Sequence, residues 1–321
     1  RLDMSSMKTN NLENMSYMFS DCMILSSIDL SNFHTSNVKD MSFLFDNCNS
    51  LKKVAINNFD TSKVENMANM FSGCSYLQSL DISNFNTNNV KNMSSMFKYD
   101  KYLEKIELSK FNTKNVLDIS YMFGECISLS TLDIFHFDTS NIINIKGLFL
   151  NCINLKNLNL KNFITSKVID MSETFRGATH LSSLDLSNFD TKNVKNMSRM
   201  FGECSSLTSI KLSNNFKTNN VENMSYMFYY CTELTSIDLT SFETNKVVDM
   251  SHMFDNSIKL QFADVSKFDT SQVIDLSYMF SQCNKLLRIV VSNFKTQNVK
   301  DMSYLFNQCN SINSLSVEKF E

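Results

Sequence analysis

The chain has 321 residues, no proline and only five glycines. Reverse turns must therefore be built from asparagine, aspartate and serine, whose short polar side chains support left-handed or side-chain-bonded turns. Gly73, Gly124, Gly147, Gly177 and Gly202 are isolated, so no glycine-rich phosphate loop exists. No stretch approaches the roughly 18 apolar residues of a membrane-spanning helix. No signal peptide is visible, so membrane association is expected only through an anchor outside this segment. Thirty lysines and arginines are interspersed with thirty-three acids, for a net charge of −3. With no basic run or stripe, nucleic acid is a poor partner.

What the chain does have is a repeat. Phenylalanine recurs at Phe19, Phe45, Phe71, Phe97, Phe123, Phe149, Phe175, Phe201, Phe228, Phe254, Phe280 and Phe306. Each step is 26 residues except the 27 from Phe201 to Phe228, where Ser213-Asn214-Asn215-Phe216 holds one residue more. A fixed period of this length marks a solenoid, and solenoids chiefly present extended binding surfaces. Residues 1–321 therefore read as a single solenoid domain of twelve units. Leu2-Asp3-Met4-Ser5-Ser6-Met7-Lys8-Thr9 already matches Ile28-Asp29-Leu30-Ser31-Asn32-Phe33-His34-Thr35, and Leu315 to Glu321 ends in the same motif. Neither end has a polar capping unit, so the chain is expected to be part of a longer array.

Within one unit, Leu25-Ser26-Ser27-Ile28-Asp29-Leu30 has the L-x-x-L-x-L spacing of leucine-rich repeats. Ile28 and Leu30 alternate with polar residues, which predicts a short strand with one buried face. Counting Leu2/Met4 and Leu315/Val317, thirteen such rungs predict a parallel sheet roughly 60 Å long at about 4.8 Å per rung. A corner follows, with a second phenylalanine column (Phe33 to Phe320) expected to stack, and a threonine column (Thr9, Thr35 to Thr296) expected to bond turn backbone. Next, Val38 and Met41 point inward, position 40 is Asn or Asp in every unit, and Ser42 reads as the N-cap of a short helical turn carrying Leu44, Phe45 and Cys48. The expected fold is thus α/β: a leucine-rich-repeat solenoid with one parallel sheet face and short helical turns opposite.

Asp249-Met250-Ser251-His252-Met253-Phe254 and Ser236-Ile237-Asp238-Leu239 carry a recognisable pattern. It resembles the BspA-like class of leucine-rich repeats, in the variant Asp-Met-Ser-x-Met-Phe-x-x-Cys-x-x-Leu-x-x-Leu-Asp-Leu-Ser-x-Phe-x-Thr-x-x-Val. The resemblance spans the whole chain. That variant is common in surface lipoproteins of mycoplasmas and some other bacteria. The resemblance implies an exposed protein that adheres to host or neighbouring cells and binds a surface protein or glycoprotein. One departure stands out: the usual Asn/Cys ladder position after the strand is phenylalanine here. Its backbone-satisfying role must pass elsewhere, with the Thr and Asn/Asp columns as candidates.

Nine cysteines fill one column three residues after the marker phenylalanine, with Asp100, Ala178 and Ser257 in the remaining slots. A straight ladder cannot supply a tetrahedron. Parallel side chains and an odd count argue against disulfides, leaving buried reduced thiols. Methionines alternate with Ile119, Ile145 and Leu276 as core filler. His34, His136, His180 and His252 lie in four different columns and imply no Ser-His-Asp geometry. No enzyme activity, metal or cofactor is expected.

Candidate binding residues lie on the outward columns. The strand-centre column is mostly acidic, including Asp81, Glu107, Asp133 and Asp264, and its mutual repulsion calls for relief, with Lys53 and Lys105 nearby. It suits a basic or hydroxyl-rich ligand or Ca²⁺; the simpler reading is a solvated strand face. Phe135 and Phe262 replace polar residues at outward positions, as binding anchors do. The slot after the valine column is usually Lys or Glu, but is Leu117, Ile143 and Ile169 in three consecutive units and later Val248 and Ile274. Ile127 and Ile153 are also unusual for their slot. An apolar stripe of this kind suits a protein partner or a neighbouring copy. The function implied is non-enzymatic surface recognition or adhesion, with a self-assembling array and a glycan-binding module as alternatives.

Overall fold

A computed structural model describes residue 4 and residues 6–316. Leu2, Val317 and Phe320, assigned above to the first and last rungs, lie outside the described residues. The chain packs as two compact units, one up to Phe163 and one from Ile164. Each is a parallel-strand solenoid.

The continuous ladder in each unit is not the expected sheet but the Asn/Asp column. Parallel bridges join Asn14, Asp40, Asn66, Asn92, Asp118 and Asn144 in the first unit. They join Asp170, Asn196, Asn223, Asp249, Asp275 and Asp301 in the second. The L-x-x-L-x-L segments pair only in places. In the first unit β1 (Ser27–Asp29) pairs with β2 (Lys53–Ala55). In the second, β3 (Ser183–Leu186) pairs with β4 (Ser209–Leu212). A four-stranded sheet joins β5 (Ser236–Ile237), β6 (Phe262–Ala263), β7 (Arg288–Val290) and β8 (Ser314–Ser316). The uninterrupted thirteen-strand sheet is therefore corrected. The alternation of buried and exposed residues holds, as at Ile28 and Leu30, but burial of one face does not require strand-to-strand hydrogen bonds.

The expected helical turns are also corrected: among the described residues there is no helix. The segment from the Asn/Asp column to the cysteine column is a run of consecutive β-turns. Met18, Ser20 and Cys22 donate backwards by three residues, to Met15, Tyr17 and Phe19. The alternate N–H groups of Met15, Tyr17, Phe19 and Asp21 donate instead to the next rung, at Asp40, Ser42, Leu44 and Asp46. Two residues per rung have positive φ, such as Tyr17 and Asp21, both at 59°. A left-handed residue at every fourth position cannot belong to an α-helix. Ser42 is not an N-cap; its own N–H donates to Asp40 Oδ1 at 2.8 Å.

The core is columnar. The marker phenylalanines stack face to face, with centroids 5.6 Å apart from Phe19 to Phe45 and from Phe45 to Phe71. In the second unit Phe228 stacks on Phe254 at 5.3 Å. The corner column stacks from Phe216 through Phe242 to Phe268.

The threonine column does more than bond its own turn. Thr87 Oγ1 accepts the N–H of Asn112 at 2.8 Å and donates to the carbonyl of the same residue at 3.0 Å. Thr35, Thr61 and Thr270 do the same to the rungs that follow them. Beside it runs an asparagine ladder that sequence reading missed. Asn89, Asn115 and Asn141 donate Nδ2–H to carbonyls 27 residues earlier, at 2.7, 2.7 and 2.8 Å. Its signal was the recurring Asn-Val pair two residues after threonine. These two ladders replace the one displaced by phenylalanine.

Candidate functional site

The acidic column is placed by a turn. Oδ1 of Asp81 accepts the N–H of Ser83 at 3.1 Å, and Oε1 of Glu107 accepts that of Ser109 at 2.8 Å. Asp133 takes the N–H of Phe135, and Asp264 that of Ser266. Each carboxylate thus closes the turn that leaves the strand segment. Hydrogen bonds from the following serine or threonine hold Asp81, Glu107, Asp185, Asp238 and Asp264 below the usual carboxylate range. Relief of the charge, expected from Lys53 and Lys105, comes chiefly from these local donors, and at Asp185 also from Lys211 at 3.5 Å. Among the described residues no three His, Cys, Asp or Glu side chains converge on one point.

Phe135 and Phe262 are exposed as expected, the latter on β6 between Ser236 and Arg288. They belong to different units.

The lateral column is a continuous main-chain ladder. Lys39 donates to Glu13, Glu65 to Lys39, Lys91 to Glu65, Leu117 to Lys91 and Ile143 to Leu117, at 2.8 to 2.9 Å. Its early side chains pair as ions, most closely Lys91 and Glu65 at 2.6 Å. The pairing then gives way to Leu117 and Ile143 on the first unit. On the second, Ile169 precedes the Lys195–Glu222 pair, and Val248 and Ile274 follow on successive rungs. All five are between 39% and 45% exposed. Ile127 and Ile153 are only half-buried.

A second aromatic column escaped the sequence reading. It lies two residues before the marker phenylalanine, at a left-handed position. In the second unit the Arg199 guanidinium sits 4.4 Å over Tyr226, which stacks on His252 at 4.3 Å, His252 on Tyr278 at 4.5 Å, and Tyr278 on Tyr304 at 4.5 Å. His252 Nδ1 lies 2.8 Å from Asp255 Oδ2, so its ring is held by a carboxylate and sandwiched between two tyrosines. In the first unit a third cluster joins Tyr76 and Tyr102, with centroids 5.2 Å apart, to Tyr99 and several lysines. The signal in each case was an aromatic recurring at the 26-residue step.

The nine cysteines are free. From Cys48 onward their Sγ–H groups donate to the carbonyl of the preceding rung's marker phenylalanine, Cys48 to Phe19 and Cys126 to Phe97 at 3.0 Å, and Ser257 does the same to Phe228 at 2.8 Å. Burial pushes the Cys48 and Cys204 thiols up to about 12, so they are unreactive at neutral pH.

Among solved structures, the chain is similar to a leucine-rich repeat protein from Bacteroides ovatus, at 18% identity over 91% of this chain and 86% of that one, with a TM-score of 0.37. It is similar to a leucine-rich cell surface protein from Faecalibacterium prausnitzii, at 16% identity over 95% and 82%, with a TM-score of 0.38. An internalin from Listeria monocytogenes matches at 16% identity over 85% and 68%, with a TM-score of 0.31. No curated protein matches at a significant level. A family profile described as "Mycoplasma protein of unknown function, DUF285" matches residues 1–55, 45–134, 124–237 and 223–320. With nearly its whole length covered by successive copies of that profile, the chain belongs to this family.

Proposed function

We propose that the chain is a non-enzymatic recognition module of the cell surface that binds proteins of host or neighbouring cells through the sides of its solenoid. The carrying observation is the exchange of paired Lys and Glu for exposed Leu117 and Ile143 on one unit, and for Val248 and Ile274 on the other. Exposed apolar side chains set in a polar rim are the usual anchors of protein interfaces. The Arg199-to-Tyr304 column adds the residue types most enriched at such interfaces. The lipoprotein character and surface location implied by the resemblance belong to the same proposal.

The test uses two paired variants, Leu117→Lys with Ile143→Lys, and Val248→Lys with Ile274→Lys. Their retention on immobilised, solubilised host surface proteins is compared with that of the parent, before and after enzymatic deglycosylation. At least one pair is expected to weaken retention by about ten-fold, equally on deglycosylated material. Parental retention by both variants would refute the proposal. Sedimentation of the same proteins examines the self-assembling alternative, which predicts parental oligomers that the variants lose.

A further inference from the structure

The side chains of the tyrosine–lysine cluster of the first unit play no part in the protein-binding reading. It surrounds an open groove of about 430 Å³ lined by Asn49, Gly73, Ser75, Tyr76, Lys101 and Tyr102, among others. Three features make it a built site rather than a rough patch. Its walls are rings: Tyr76, Tyr99 and Tyr102 are 51%, 43% and 46% exposed. Its rim carries the Lys101 ammonium, and beyond the rim Lys52 Nζ lies 5.9 Å from the Tyr76 ring centre. Its floor is a close approach of two rungs. Gly73 occupies a left-handed position, φ 73°, where the rungs on either side carry Asn47 and Tyr99. A Cβ on Gly73 would stand 2.8 Å from Asn47 Oδ1 and 3.1 Å from Asn47 Cα, so the glycine is set by the tight packing of these rungs.

The groove's chemistry selects its ligand. The N–H groups of Gly73, Tyr76, Tyr99, Lys101 and Tyr102 all bond carbonyls within the fold. A bound peptide would find no main-chain donors among them, so the contacts on offer are ring faces, amides, hydroxyls and ammonium groups. Tyr76 and Tyr102 are tilted by 33° at 5.2 Å and present successive platforms along the groove. The C–H faces of pyranose rings pack on such platforms, their hydroxyls suit Asn49 and Ser75, and a carboxylate suits Lys101. The acids nearby, Asp21 and Asp46, lie at the Asn47 end, where both accept its amide hydrogens. The volume falls in the range of small-ligand sites.

We infer that this groove binds a carboxylated saccharide, with Tyr76 and Tyr102 as stacking platforms, Asn49 and Ser75 as hydroxyl partners and Lys101 as the carboxylate partner. The inference is independent of the protein-binding reading, which rests on other residues.

The chain has ten tyrosines and no tryptophan, so tyrosine fluorescence follows the titration, and comparison with Tyr102→Ala separates the groove's signal from that of the other tyrosines. Titration with tetragalacturonate and with sialyllactose separates the two sources of sugar carboxylate, with lactose and hexaglutamate as controls. At least one acidic saccharide is expected to bind, to weaken as salt rises, and to bind about ten-fold or more tighter than lactose or hexaglutamate. Tyr102→Ala should lower that affinity by about ten-fold or more at an unchanged melting temperature. Lys101→Gln should do the same and reduce the salt dependence, because it removes the charge that meets the carboxylate. No binding of either acidic saccharide, undiminished binding by both variants, or equal binding of hexaglutamate would overturn the inference.

Discussion

Asp100 is the residue least at home in this fold. It occupies a cysteine slot, is fully buried, and neither carboxyl oxygen has a hydrogen-bond partner. Burial pushes its pKa well above the usual carboxylate range. Its column neighbours donate to the carbonyl of the preceding marker phenylalanine, and only the neutral acid has a proton to offer there. The folded-state value lies above that of the unfolded chain, so this group favours folding below the ordinary carboxylate range. That contribution is lost as pH rises toward the folded value. Asp100→Cys should therefore stabilise the chain at neutral pH by on the order of 1–3 kcal/mol, the cost of an unsatisfied buried polar group. Urea midpoints should show the gain shrinking towards about pH 4. A gain independent of pH would assign the effect to packing alone. That the column is buried and small was legible from Cys, Ala and Ser sharing one slot. Its acceptor was not, because it lies on the neighbouring rung, 29 residues away.

At the scale of the element, each rung's hydrogen bonds are divided between itself and its neighbours. The turn run keeps half of its N–H groups and gives the other half to the next rung. Local periodicity cannot reveal that division: Leu44, Phe45 and Cys48 have helical spacing, yet Phe43 and Asn47 are left-handed, at φ 57° each. The corner is the converse case. An invariant threonine pointed to backbone satisfaction, and the structure sharpens this to both polar groups of one residue on the next rung. Thr87→Val keeps the shape but strips the N–H and carbonyl of Asn112 of that hydroxyl, so a loss of about 2 kcal/mol is expected. Thr87→Ser, which keeps the hydroxyl, should lose under half as much. Thermal melts of both variants check this, and equal losses would show that the methyl group rather than the hydroxyl matters.

At the scale of the whole molecule, the repeat separates support from recognition. The inward columns of Phe, Met, Cys, Val and Thr recur because every rung must satisfy its neighbours. The outward columns are free to vary, and the unit pattern made Phe135, Phe262, Leu117, Ile143 and Ile169 stand out as departures. The aromatic column from Tyr226 to Tyr304 and the Tyr76–Tyr102 groove were less legible. Their members change identity from rung to rung, and in the Tyr226–Tyr304 column it is the left-handed backbone that brings the rings face to face. The acidic column has a turn-closing role that strand alternation did not show: Asp81 and Asp264 accept the N–H two residues on.

The central claim is that the outward departures bind a protein partner, and equilibrium binding of the labelled chain to intact host cells tests it most directly. The chain should carry Tyr102→Ala, so that the saccharide groove does not contribute, and the cells should be compared before and after surface proteolysis. Saturable binding that proteolysis abolishes is the predicted result. Absent binding, or binding that survives proteolysis unchanged, would contradict the account.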